Sequence, residues 1–274
     1  MTDQLTLTLN DGRPMPRFGL GVWRTPQDDA AEVIKQALAA GYRSIDTAAI
    51  YGNERGVGEG LKGAARDDVF VTTKLWNDRQ GYDSTLEAFD KSLQRLGLES
   101  VDLYLIHWPA PKKDLFVDSW KAMIRLKEEG RARSIGVSNF APEHLKRVID
   151  ETGVTPSVNQ IELHPSFQQR ALREFHDQHG VKTESWSPLG QGRQLDDPVV
   201  GEIARKHGKT PAQVVIRWHL DSGLIVIPKT VTPSRMAENI AVFDFALDAD
   251  DLARIAALDK SDGRIGPDPV VADF

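Results

Sequence analysis

The sequence predicts an α/β chain of the (β/α)8 TIM barrel class, with a short N-terminal β-hairpin and extra helices. Three observations carry that reading. Eight short apolar runs begin near Phe18, Ser44, Val69, Val101, Ala132, Val158, Lys182 and Leu224. Helix-period segments separate them, and repeated strand-then-helix units imply parallel strands joined by crossover helices. Eight such units in 274 residues suit a closed barrel better than an open doubly wound sheet. With no linker, low-complexity stretch or shift in composition, 1–274 reads as one domain.

In chain order, Leu5-Thr6-Leu7-Thr8-Leu9 alternates apolar and polar ahead of the turn Asn10-Asp11-Gly12, the first arm of a hairpin. Thr25-Pro26-Gln27-Asp28 offers a helix start, with Thr25 as N-cap and Pro26 at the first helical position. Val33, Ile34, Ala37 and Leu38 give that helix its apolar face, and Gly41 ends it. Thr210-Pro211-Ala212-Gln213 repeats the start before Val214, Val215, Trp218 and His219, and Ala141-Pro142 and Thr232-Pro233 open two more helices. Strands recur roughly every 25 to 32 residues until the last interval of about 42, which leaves room for an extra helix. Ser261 to Pro267 reads as a short mobile end.

Composition then narrows the function. Forty acidic residues against 34 basic ones give a net charge of −6. Nucleic acid is thereby excluded as a partner, because its binders need a basic face; any bound anion must be held by a few placed cations. The absence of cysteine removes disulfides and thiolate metal sites and suits a reducing compartment. The opening MTDQLTLTLNDG lacks the basic region and apolar core of a secretory signal. No run approaches the ~18 apolar residues of a membrane span. A cytoplasmic protein with no membrane partner is expected, and, as nothing calls for an oligomer, a monomer.

The most informative pattern is where the polar residues fall. Apolar runs end in Asp46, Lys74, His107, Ser138-Asn139, Gln160, Trp186 and Lys229. In a barrel of parallel strands all carboxyl ends open on one rim, so these seven ends converge on one mouth. Burying such groups is costly unless they are paired or used. Singly each reads as a rim hydrogen bond or ion pair; together they read as a site. Gly58-Glu59-Gly60-Leu61-Lys62-Gly63 has the spacing of a dinucleotide-binding glycine turn, but it does not directly follow a strand, and Val57, Gly58 and Leu61 read as helix interior. A metal site built on His107, Glu162 and His164 lacks a His-x-His pair and an obvious further ligand, so no metal is expected.

Three longer segments carry a resemblance. Gly41-Tyr42-Arg43-Ser44-Ile45-Asp46-Thr47-Ala48, running on to Tyr51-Gly52-Asn53-Glu54, resembles the first signature of the aldo-keto reductases. Ile135-Gly136-Val137-Ser138-Asn139-Phe140 is similar to the second, and Ile227-Pro228-Lys229-Thr230, through Arg235 to Glu238-Asn239, to the third. The phrases TTKLWND, VDLYLIHWP, NQIELHP and ESWSPLGQG fill the intervals, so the match spans the chain in order. Within the family the chain looks most like the bacterial 2,5-diketo-D-gluconate reductases. The resemblance implies a (β/α)8 barrel, NADPH as cofactor and reduction of a small-molecule carbonyl substrate.

The roles below follow from that resemblance. Tyr51 matches the general acid, Lys74 the ammonium that tunes it, Asp46 the carboxylate that anchors the lysine, and His107 the imidazole that orients the carbonyl. A tyrosine is a reluctant donor near its reference pKa of about 10, and a neighbouring ammonium is expected to lower it by ~1–3 units. Asp46, Ser138, Asn139 and Gln160 match groups around the nicotinamide, the last three as partners of its carboxamide, and Trp186 its stacking partner, where many relatives carry tyrosine. Ser187-Pro188-Leu189-Gly190-Gln191 looks like the loop over the pyrophosphate. Lys229, Thr230 and Arg235 match the adenosine 2′-phosphate site, which favours NADPH over NADH, Val231 and Thr232 are further cofactor-binding positions, and Glu238 and Asn239 match the adenine contacts. Trp23, Ile50, Trp76 and Trp108, with His107, are expected to wall the substrate pocket. The substrate indicated is a diketo sugar acid such as 2,5-diketo-D-gluconate. The alternatives are broad reduction of aldehydes, methylglyoxal or keto esters, and NADPH binding without catalysis.

Overall fold

Thr6–Thr8 (β1) and Pro14–Pro16 (β2) pair antiparallel with Leu7 opposite Met15, in a computed structural model that describes residues 6–272 and residue 274. Leu5, at the start of the expected arm, lies outside the described residues. The barrel strands follow as Leu20–Gly21 (β3), Ser44–Asp46 (β4), Phe70–Leu75 (β5), Val101–Ile106 (β6), Ala132–Ser138 (β7), Val158–Glu162 (β8), Lys182–Trp186 (β9) and Ile225–Val226 (β10). Each is parallel to the next. The ring closes beside its two shortest members. Phe18 bridges Val226 and Gly21 bridges Lys229 in parallel, Gly19 N donates to Val226 O at 3.0 Å, and Val226 N donates to Arg17 O at 2.9 Å. The eight expected strands and the closed barrel are therefore present.

Ten helices are described: Gln27–Ala39 (α1), Glu54–Leu61 (α2), Tyr82–Leu96 (α3), Phe116–Glu128 (α4), Pro142–Thr152 (α5), Arg170–His179 (α6), Pro198–His207 (α7), Pro211–Asp221 (α8), Pro233–Ile240 (α9) and Ala249–Ala256 (α10). Helices α7 and α8 share the long interval before β10, where one extra helix was expected. Thr210 caps α8 as its sequence suggests, its hydroxyl accepting Gln213 N while Gln213 Oε1 accepts Thr210 N. Thr25 does not cap α1. Pro26 occupies the cap position, and the Thr25 hydroxyl is buried without a hydrogen-bond partner. The Thr25 backbone is committed elsewhere, its N–H to Val22 O and its carbonyl to Asn53 Nδ2. The Gly58–Gly63 motif does lie mostly in helix α2, and its glycines serve packing. A Cβ on Gly58 would stand 2.1 Å from the Leu96 carbonyl oxygen, and one on Gly60 would stand 2.6 Å from Ile34 Cβ.

Strand alternation sorts the side chains. Ile45, Val71, Leu75, Tyr104, Ile106, Ile135 and Val137 pack outward beneath the helices. Leu103, Leu105, Val158 and Ile225 pack inward, where Leu9 and Met15 from the hairpin join them and plug the amino-terminal end. One step further along the same inward rows stand His107, Gln160 and, on β4 and β5, Asp46 and Lys74. The barrel is thus apolar at one end and polar at the other. Ser261 to Pro267 is tied down rather than free: Lys260 N donates to Ser166 O at 3.1 Å, and Ile265 N and Gly266 N donate to the Glu162 carboxylate at 2.6 and 2.8 Å.

Candidate active site

At the carboxyl end of the strands lies a cavity of about 510 Å³, lined among others by Asp46, Tyr51, His107, Gln160, Trp186 and Lys229. At its floor Lys74 is fully buried and its ammonium donates to Asp46 Oδ1 at 2.6 Å and to Thr47 O at 2.9 Å. Gln160 Nε2 donates to the other Asp46 oxygen at 2.8 Å and to Glu184 Oε2 at 2.8 Å. This polar layer links β4, β5, β8 and β9. Glu184 escaped the sequence reading, although its parity on β9 with Trp186 places both inward.

Tyr51 arrives from the loop after β4, at the end of the 3₁₀ turn Ala49–Tyr51. Asn53 fixes that loop. Its Oδ1 accepts the Thr47 hydroxyl at 2.7 Å, and its Nδ2 donates to the carbonyls of Val22 and Thr25 at 2.9 and 3.0 Å. The Tyr51 ring then stands 5.2 Å from Lys74 Nζ and edge-on to His107, with ring centres 5.6 Å apart. His107 also meets Trp76 edge-on at 5.2 Å. The four residues to which the resemblance gives catalytic roles thus share one end of the barrel.

Their charge states follow from burial. Desolvation and the neighbouring Lys74 ammonium hold His107 well below the ordinary imidazole value, so its ring is neutral at pH 7. Burial works against the Lys74 charge, but Asp46, with help from Tyr51 and Glu184, overcomes it and the ammonium lies above its usual range. For Tyr51 the expectation is corrected. Lys74 does pull the phenol down, but burial, Asp46 and Glu184 push harder, and its pKa is raised in the protein alone. Burial and Asp46 push Glu184 up to about 8.

The residues expected around a nicotinamide are bonded to one another in advance. Ser138 Oγ donates to Gln160 O at 2.8 Å; Asn139 Nδ2 donates to His107 O at 3.0 Å and to Ser138 Oγ at 3.1 Å; and Trp186 Nε1 donates to Asn139 Oδ1 at 2.8 Å. Among the described residues, seven non-glycines hold a left-handed φ, and four of them line this cavity: Arg24, Asn139, Ser187 and Gln191. Such backbone costs on the order of 1 kcal/mol or more per residue, so the loops of the mouth are held in shape by their surroundings.

The other predicted residues divide. Ser187, Pro188 and Gln191 line the cavity, whereas Leu189 packs against the helical core and Gly190 turns the loop beneath it. Lys229 is exposed at the rim. Thr230, Val231, Thr232 and Arg235 continue outward from it into α9, away from the cavity, with Arg235 exposed. Asn239 is buried, and the Glu238 carboxylate already accepts the Thr210 hydroxyl at 2.8 Å. Trp23, Ile50, Trp76 and Trp108 all line the cavity, Trp23 and Ile50 being exposed at its lip. Two further contributions come from the tail. Phe274 stacks on Trp76 at 5.8 Å and meets Trp108 edge-on at 5.1 Å, with its carbonyl accepting Asn77 Nδ2 at 2.9 Å. Gly266 lies on the Trp186 indole, where a Cβ would come within 2.6 Å of the ring. Arg24, stacked over Trp23 at 4.2 Å, adds a guanidinium to the rim.

Glu162 and His164 are not turned toward His107 as a ligand set. They bond each other at 3.0 Å. Burial of the Glu162 carboxyl is outweighed by His164 and the tail's two N–H groups, which keep it below the ordinary range. Among the described residues no group of three or more His, Cys, Asp or Glu could hold a metal ion, and no helix is long and apolar enough to cross a membrane.

A closed eight-stranded barrel with a Tyr–Lys–Asp–His set at its carboxyl rim defines a class, and comparison with known proteins gives it a name. Residues 15–260 match the model of the Aldo/keto reductase family, and the chain belongs to that family. It is 56% identical over 270 residues to an aldo-keto reductase of Mycolicibacterium smegmatis, with 98% of each chain covered. It is 56% identical over 273 residues to methylglyoxal reductase DkgA of Salmonella typhimurium, again with 98% of each covered. Among solved structures it matches a variant of Gox0644 in complex with NADPH, at 59% identity and a TM-score of 0.96, over 98% of both chains.

Proposed function

We propose that this chain reduces an aldehyde or ketone to the alcohol with NADPH, and that Tyr51 is its general acid. The observation that carries the reading is the meeting of Asp46, Lys74, Tyr51 and His107 around one cavity, the first two on the neighbouring strands β4 and β5, Tyr51 on the loop between them and His107 just past the end of β6. The cavity fits the cofactor chemically. An indole face is fixed by its own N–H, amides and hydroxyls flank it, and two cations, Lys229 and Arg24, stand on the rim to meet phosphate. Ser138, Asn139, Gln160 and Trp186 would hold the nicotinamide, Ser187 to Gln191 the pyrophosphate, Lys229 to Thr232 with Arg235 the 2′-phosphate, and Glu238 and Asn239 the adenine.

Bound there, the reduced nicotinamide supplies the hydride. The protein's share is the proton and the fit. Neutral His107 donates to the carbonyl oxygen and orients it, which a charged imidazolium would do at the cost of repelling Lys74. As negative charge grows on that oxygen, the Tyr51 hydroxyl gives up its proton, and Lys74, held charged by Asp46, stabilises the phenolate left behind. The apolar wall of Trp23, Ile50, Trp76, Trp108 and Phe274 binds the substrate carbon chain and keeps water from the reacting centre.

For the substrate, the motif phrases favour a diketo sugar acid such as 2,5-diketo-D-gluconate, while relatives named methylglyoxal reductase favour a smaller 2-oxoaldehyde. The test is NADPH oxidation against 2,5-diketo-D-gluconate, methylglyoxal, an aromatic aldehyde and a keto ester, ranked by kcat/KM. The diketo acid at the head of the ranking is the expected result, methylglyoxal at the head selects the second reading, and tight NADPH binding with no oxidation by any of the four rejects reduction altogether.

A further inference from the structure

The polar floor of the cavity holds two carboxyl groups and one ammonium. Asp46 has the full complement of an ionised group, with Lys74 on one oxygen and Gln160 on the other. Glu184 does not. It is fully buried, its Oε2 receives only the shared amide of Gln160, and its Oε1 has no hydrogen-bond partner. An ionised carboxylate with one donor and a bare oxygen, buried beside a lysine already paired with Asp46, is strongly disfavoured. The groups facing it are Asp46 from β4, Tyr51 from the loop after it, Lys74 from β5 and Gln160 from β8, with Ile225 of β10 as its apolar strand neighbour.

Building on the reading of this chain as a carbonyl reductase, we propose that Glu184 is a positioning residue that stays protonated in the working enzyme, and that its ionisation sets the alkaline limit of reduction. Loss of its proton places a second negative charge on the floor. That charge competes with Asp46 for Lys74 and opposes formation of the Tyr51 phenolate, so the general acid weakens. Among its neighbours His107 is held well below the ordinary imidazole value, and Lys74 and Tyr51 lie above their ordinary ranges.

Two measurements test this. Infrared difference spectra of the wild-type protein between pH 6.5 and pH 9.5 should show one protonated-carboxyl band that disappears with a midpoint near 8, and the band should be missing from E184Q. In parallel, kcat for reduction is followed from pH 6 to 10. Wild type should lose about tenfold per unit above the midpoint, and E184Q, which keeps the acceptor for Gln160 but cannot ionise, should raise the ratio of kcat at pH 9 to kcat at pH 7 by about tenfold. Absence of the band from wild type at pH 7, or the same ratio in E184Q as in wild type, overturns the proposal. A wild-type protein that shows the band and its titration yet oxidises NADPH with no carbonyl overturns the reading of function instead, and leaves the proton on Glu184.

Discussion

The two ends of the barrel are built from the same strands and opposite chemistry. At the amino-terminal end, Leu103, Leu105, Val158 and Ile225 close around Leu9 and Met15, all buried, and the hairpin is pinned there by Asn10 Nδ2 donating to Pro156 O at 3.0 Å. At the carboxyl end the same inward rows present Asp46, Lys74, Gln160 and Glu184, bonded side chain to side chain, with the His107 ring beside them around a cavity. The difference teaches where this chain draws its stability and where it accepts strain. Apolar burial at one end is worth roughly 25 cal/mol per Å², while the other end carries desolvated charge and four left-handed non-glycine residues. Substitutions at the two ends should therefore fail in different ways.

The sharpest break is Tyr51→Phe. The substitution keeps the ring against His107 and removes only the hydroxyl, so the melting temperature should hold while kcat falls by about a thousandfold, the middle of the range for loss of a positioned general acid. A variant within tenfold of wild type would show that the mouth uses another proton donor. At the other end, Met15→Ala should do the reverse. Met15 is fully buried in the plug, and truncation of such a side chain costs about 2–5 kcal/mol. Denaturant unfolding should show that loss while kcat of the folded protein at 25 °C stays within twofold. A large fall in kcat with unchanged stability would mean that the plug reaches the site and that the two ends are not separable.

That division was partly legible in the sequence. Asp46, Lys74 and His107 announce themselves because each interrupts an apolar strand at its carboxyl end, and the period of two carries them to one mouth. Glu184 carries the same signal, two residues before Trp186, but a carboxyl beside a serine reads as solvated until the barrel register sets it against Gln160. The left-handed backbone of Arg24, Ser187 and Gln191 is one that favours glycine, so no residue-type rule foretells it at these positions. The tail was misread for a related reason. Ser261 to Pro267 has the composition of a free end, yet what fastens it is two backbone N–H groups on Glu162 and a glycine lying flat on Trp186. Backbone donors leave no trace in a list of side chains.

The smallest expected effect separates binding from both stability and the proton. Lys229 follows β10 and is exposed at the rim, and its side chain, unlike its backbone, which bridges Gly21, shows no hydrogen bond or ion pair to another described residue. Removing it leaves no buried group without a partner, so Lys229→Ala should unfold at the wild-type denaturant concentration. In the function proposed above Lys229 would read the 2′-phosphate, and one exposed charge-assisted contact is worth about 1.4 kcal/mol, or tenfold in affinity. KM for NADPH should accordingly rise about tenfold with kcat nearly constant, and KM for NADH, which lacks that phosphate, should stay within twofold. Added salt should narrow the difference between wild type and variant, because an exposed charge pair is screened over about 10 Å at 0.1 M ionic strength. An equal rise for both cofactors would move Lys229 from the 2′-phosphate to a group the two share, such as the pyrophosphate. The rim would then discriminate between cofactors through Arg235 alone.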